Sequence, residues 1–116
     1  MAETFLAERL QLWQKRLNLH DWKITIVMTP RAALKAGTLG GIRWDKSKRT
    51  AAMAVLDASE YTVSLADMLK DMEFTVVHEL IHLELASLPR SEASRRTEEL
   101  AVNNLTRALV ASAGDH

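Results

Sequence analysis

Cysteine is absent from the sequence, so no disulfide framework staples the fold and no thiolate serves as nucleophile or metal ligand. That fits a cytoplasmic protein. An excess of charge is lacking too: Lys+Arg and Asp+Glu each number 15, so neither a nucleic acid nor an anionic membrane surface is indicated as a partner. No apolar run approaches membrane-spanning length, and the N-terminal "MAETFLAERLQLW" breaks its apolar residues with acids and a base instead of forming the continuous core of a secretion signal. A soluble, unprocessed, cytoplasmic chain is the expectation. Internal repeats, linkers and low-complexity segments are also missing. The 116 residues, 47% hydrophobic and 26% charged, can bury one real core but are too few for a second lobe. Residues 1–116 are therefore expected to form a single domain.

What is present begins with an amphipathic helix. In "TFLAERLQLWQKRL" the residues Leu6, Leu10, Trp13 and Leu17 recur at helical spacing, with Glu8, Arg9, Lys15 and Arg16 largely opposite and Thr4 as a possible cap. "WKITIVMT" alternates Trp22, Ile24, Ile26 and Met28 with more polar neighbours and stops before Pro30, the pattern of a strand. "RAALKAGTLGG" reads as loop, broken by Gly37, Gly40 and Gly41. "GIRWD" and "RTAAMAVLD" flank "KSK" as a β-hairpin. Its basic tip, Arg43, Lys46, Lys48 and Arg49, is read as a solvated surface before a phosphate site.

From Leu65 to about Ala86 the pattern turns helical, with Ser64 as cap. After Pro89, Ser91 or Ser94 opens a last helix whose apolar stripe is Ala101, Val102, Leu105, Ala108 and Leu109. The order helix, strand, hairpin, helix, helix predicts an α+β fold in which a small sheet packs on helices.

The central helix carries "FTVVHELIHLEL", an apolar segment holding two histidines and a carboxylate. Positions i and i+4 share a helix face, so His78 and His82 project side by side and can share one metal ion. Glu79 lies about 100° round the helix from His78, beside such an ion, where it would face the bound water rather than ligate. A lone histidine in an apolar helix is ordinarily a hydrogen-bonded core residue. Two histidines and a carboxylate would need several separate partners on a face shared with Phe74, Val77 and Ile81, and one divalent cation satisfies them together. The H-E-x-x-H spacing points to Zn2+ with metal-activated water and Glu79 as general base.

A third ligand must come from elsewhere, and no histidine follows before His116. At about 1.5 Å per residue the chain climbs from His82, turns through "LPRS" and returns to the metal's level near residues 97 to 99. Glu98 lies on the expected core stripe and is favoured, with Glu99 beside it as the alternate. Both also read as helix N-terminal acids favoured by the dipole.

"VVHELIHL" followed by "EELAVNNLTRAL" resembles the gluzincin group of zinc metallopeptidases, and the order of elements is similar to the smallest such domains, the minigluzincins. The resemblance implies a minimal zincin-like fold with an active-site helix, His78, His82 and Glu98 as zinc ligands, and Glu79 as the base. It implies hydrolysis of a peptide or protein substrate laid along an exposed edge strand of the hairpin. The spacer from His82 to Glu98 is shorter than in most members, and Leu85 and Leu88 stand where a metzincin would carry its glycine and third histidine.

For the developing oxyanion the candidate donors are Tyr61, placed first, then His20, Arg43 and Arg107. A second reading on the same fold is a silent or self-inhibited zinc-binding regulatory domain, with His116 closing the fourth position. A third is a metal-free helical adaptor using Trp13, Trp22 and Trp44 as a contact surface. The small size leaves the cleft shallow or completed by the tail, a partner or a second copy in a homodimer.

Overall fold

The structure, a computed structural model, describes residues 2–35, 38–86 and 92–114, with the side chains of 92–96 and 113–114 excepted. Helix α1 spans Ala2–Arg16, strand β1 Lys23–Thr29, β2 Gly40–Asp45 and β3 Thr50–Leu56, followed by α2 Leu65–Glu84 and α3 Glu92–Gly114. Short 3-10 turns at Arg31–Ala33 and Ala58–Glu60 follow β1 and β3. Three helices and a three-stranded mixed sheet make an α+β fold, as the order of patterns predicts.

In α1, Leu6, Leu10 and Trp13 are buried as their spacing requires. The helix starts at Ala2, so Thr4 sits inside its first turn and not at the cap. It ends on Asn18 in the left-handed conformation (φ 61°), where Leu19 N–H donates to Gln14 C=O and Asn18 N–H to Lys15 C=O. This is the Schellman pairing, which asparagine tolerates better than most residues. It turns the chain into β1.

The sheet order is β1-β3-β2, with β3 in the centre, parallel to β1 and antiparallel to β2. The β2–β3 hairpin is the expected one. Asp45 pins its turn by accepting from Ser47 N–H, Ser47 Oγ–H and Lys48 N–H. The basic tip is surface, as expected: Arg49 pairs with Asp21 at 2.6 Å and Lys46 Nζ donates to Ala86 C=O beyond α2. Ala51, Met53 and Val55 of β3 are buried, while Lys23, Thr25 and Val27 of β1 are exposed. One face of the sheet therefore meets the helices and the other meets water.

Helix α2 is the central element. Ser64 caps it, its hydroxyl accepting from Asp67 N–H, and Met72, Val76, Val77 and Leu80 are fully buried. Trp13 Nε1–H donates to Glu73 at 2.8 Å and ties α1 to α2. Close approach of β2 requires Gly40: a Cβ there would lie 2.5 Å from Thr75 Cγ2 and 2.7 Å from Ala54 O.

On α3 the structure corrects the expected stripe. Val102 and Thr106 are buried and Leu109 half-buried, whereas Ala101, Leu105 and Ala108 are exposed. The inward face runs through Glu98, Val102, Thr106 and Leu109. Thr106 can be buried because its hydroxyl donates to Val102 C=O at 2.6 Å, satisfying its polar group within the helix. Ser94 lies inside α3 and does not cap it, and Ser91, like Pro89 and His116, lies outside the described residues.

Candidate metal centre

Helix α2 brings His78 and His82 one turn apart, with ring centroids 4.9 Å from each other and planes at 72°. Phe74, one turn earlier, stacks on His78 at 6.0 Å between centroids. Both imidazoles are largely buried, their side chains 15% and 17% exposed. Single ligand atoms of His78, Glu79 and His82 all lie within 4.8 Å of one another, a group able to hold a metal ion.

Helix α3 supplies two more carboxylates, and they take different places. Glu99 bridges the rings: its two oxygens lie 2.9 Å from His78 Nε2 and 2.9 Å from His82 Nε2. Glu98 sits behind, with Oε1 2.9 Å from His82 Nδ1. Glu79 reaches the other ring, its Oε2 3.2 Å from His78 Nδ1. The phase of α3 accounts for the split, because the inward face passes through Glu98 and leaves Glu99 on the adjacent face that looks across at α2.

Every imidazole nitrogen therefore faces a carboxylate oxygen. A neutral imidazole has one N–H and one lone pair, and an ionised carboxylate only accepts. With every carboxylate ionised, all four contacts can be hydrogen bonds only if both rings carry two protons, which places two cations with centroids 4.9 Å apart in a largely buried site. Two charges so close repel each other when little water screens them, and the carboxylates 2.9–3.2 Å away offset that repulsion. A metal cation held here would remove the need for a second proton on each ring. Were His78 and His82 to hold such an ion, Glu79 and Glu98 would be placed to orient their rings, as carboxylates beside metal-ligating histidines do. Three carboxylates around two neutral imidazoles also leave a net negative site that a divalent cation largely offsets. The donors present thus fit a metal.

His78 feels this crowding. Burial pulls its pKa down, but the hydrogen bond and charge of Glu79, then the charge and hydrogen bond of Glu99, outweigh burial and raise it above the ordinary 6.5.

The cluster opens into a cleft of about 380 Å³ whose far wall is formed by Thr38, Leu39 and Gly40 at the start of β2, with Asn103 of α3 beside Glu99. Glu79 is only 7% exposed and still lines this cleft. Among the described residues its second oxygen, Oε1, makes no hydrogen bond.

His78, Glu79, His82, Glu98 and Glu99, all named from the sequence, come together here. The other residues considered for the site do not join them. Tyr61 is absent from the cleft wall; its ring packs against the core, its hydroxyl is buried without a partner among the described residues, and burial, then Asp71, raises its pKa. His20, Arg43 and Arg107 are exposed and also away from the cleft, Arg107 donating to Asn104. Trp13 is buried, and Trp22 and Trp44 pack against the core, which leaves little of the tryptophan contact surface. Asn103 was legible only as a residue one turn beyond Glu99, a signal that appears once Glu99 is given weight.

No family model, no curated protein and no solved structure matches the chain. Among the described residues no helix is long and apolar enough to cross a membrane.

Proposed function

We propose that the chain is a zinc-dependent peptidase in which His78, His82 and Glu99 hold the metal, Glu98 orients His82, and Glu79 is the general base. The observation that carries this reading is the carboxylate at every imidazole nitrogen, with Glu99 spanning both Nε2 atoms. Two imidazoles and one carboxylate are a donor set suited to zinc and leave a position open for substrate or water. When bound, zinc lowers the pKa of water towards about 7 and polarises a carbonyl.

The remaining chemistry belongs to the chain. Oε1 of Glu79 accepts a proton from water in the cleft, and the carboxyl later gives that proton to the leaving amine. Its Oε2 is anchored at His78, so the carboxylate is held facing the cleft instead of rotating freely. Glu98 accepts from His82 Nδ1–H, which fixes the tautomer with Nε2 as the lone-pair nitrogen. Assigning the third ligand to Glu99 departs from the position the gluzincin resemblance selects by spacing, but keeps its donor types.

A peptide is the substrate class that the cleft favours. Leu39 C=O accepts from Leu56 N–H, and the antiparallel register alternates from there. The main-chain groups of Gly40 and Ile42 consequently point away from β3, along the free edge of β2. Gly40 also lines the cleft, so an extended peptide pairing with that edge would run past the metal cluster.

The test is a Glu79→Gln variant assayed beside wild type for metal content and for cleavage of internally quenched peptides. The variant should keep one equivalent of zinc and lose cleavage by several orders of magnitude. Cleavage at the wild-type rate would remove Glu79 as base, and wild type that takes up no zinc would end the reading.

A further inference from the structure

Resting on the peptidase reading, we infer that Asn103 is a further catalytic residue, whose side-chain amide donates to the scissile carbonyl oxygen as that oxygen becomes negative. Addition of water to a peptide carbonyl moves charge onto oxygen, and a donor placed at that point stabilises the transition state more than the ground state.

The cleft offers few donors. Among its described side chains, Thr38 Oγ1–H is committed to Lys35 C=O at 2.6 Å, and Thr75 Oγ1–H to Asp71 C=O at 2.9 Å. Leu39, Gly40 and Phe74 have no polar side chain, and the histidines and glutamates belong to the metal cluster. Asn103 remains. It is half-buried, and among the described residues its carboxamide makes no hydrogen bond. It follows Glu99 by one turn of α3, so both project from the same face into the cleft.

The chemistry of the amide suits this place. Beside Glu79, Glu98 and Glu99 a lysine or arginine would be drawn into an ion pair and lose its availability to substrate. A carboxamide keeps two N–H donors at any pH, is not titrated by its neighbours, and adds no charge to the metal cluster.

The experiment compares wild type with Asn103→Ala and Asn103→Leu, all loaded with zinc. Three quantities are read: zinc content, kcat and KM on a quenched peptide, and affinity for a phosphinic pseudodipeptide of phenylalanine and leucine, whose tetrahedral oxygens mimic the reacting centre. The expected result is full zinc content, KM within about twofold, kcat lower by roughly 10²–10³ as for loss of one such donor, and phosphinate binding at least tenfold weaker. Wild-type kcat or wild-type phosphinate affinity in both variants would overturn the assignment and leave the peptidase reading standing. Zinc lost from both variants would also overturn it, since Asn103 would then serve the metal ligands and not the substrate. Zinc-loaded wild type that neither cleaves peptides nor binds the phosphinate would remove the peptidase reading, and this assignment with it.

Discussion

Substituting the two adjacent glutamates of α3 one at a time should weaken zinc binding by different amounts for different reasons. In Glu98→Ala the His82 Nδ1–H loses its acceptor on a side chain only 17% exposed. A buried donor left unsatisfied costs about 1–3 kcal/mol, which at about 1.4 kcal/mol per decade is roughly a five- to hundredfold loss of affinity. Glu98→Gln keeps an acceptor oxygen at the same place and should lose less. Glu99→Ala removes the only carboxylate among the described residues that reaches both Nε2 atoms, so its loss should exceed the roughly 10–100-fold typical of a partner behind a ligand. Competition against a chromophoric zinc chelator, with metal content after dialysis, measures all three variants on one scale. Equal losses at the two positions, or a larger loss at Glu98, would refute the division of labour drawn from the geometry.

Three other outcomes follow from single contacts. Gly40→Ala sets a Cβ 2.7 Å from the backbone oxygen of Ala54, which cannot swing aside, so β2 must move; denaturant unfolding should show a loss of about 1–3 kcal/mol, and an unchanged midpoint would mean the strand yields freely. Trp13→Phe deletes the 2.8 Å bond to Glu73 and should cost about 1.5–3 kcal/mol, as for hydrogen bonds to charged groups, whereas Glu73→Gln, still an acceptor, should cost less. The pKa of His78 is raised in the metal-free fold, so its protonation contributes stability that is fully present below its unfolded value near 6.5. That stability is lost as pH rises through the higher folded value. Thermal melts of the metal-free protein should record this decline, and His78→Gln should flatten it; an unchanged slope in that variant would place the titration elsewhere.

Much of the fold was legible because its signals are local. Trp13, Leu6 and Leu10 fall on one helical face and are buried there, Ser64 caps α2, and the polar "KSK" between alternating runs marks the β2–β3 hairpin. The neighbour of β1 was not legible. Its alternation tells which residues face the core and says nothing of the strand it pairs with, so the parallel pairing with β3, which makes β3 central and leaves β2 as a free edge beside the cleft, is fixed only by tertiary packing.

The site divides along the same line. His78, Glu79 and His82 lie on one helix, where spacing alone fixes their relation. Choosing between Glu98 and Glu99 depends on the rotation of a second helix about its own axis, which spacing along the chain does not fix. Hydrophobicity favours Leu105 over Thr106 for the buried face, which would turn α3 by about 100°. The threonine goes inward because its hydroxyl is satisfied by Val102 C=O, whereas Leu105 remains half exposed at 50%. Seven residues return a helix to within about 20°, so Leu105 is in phase with Glu98 and Thr106 with Glu99. Thr106 and Glu99 thus record the same fact at two points two turns apart: a threonine that conceals its polarity within the helix can face inward, and the same turn of α3 brings Glu99 to the imidazoles while Glu98 backs one of them.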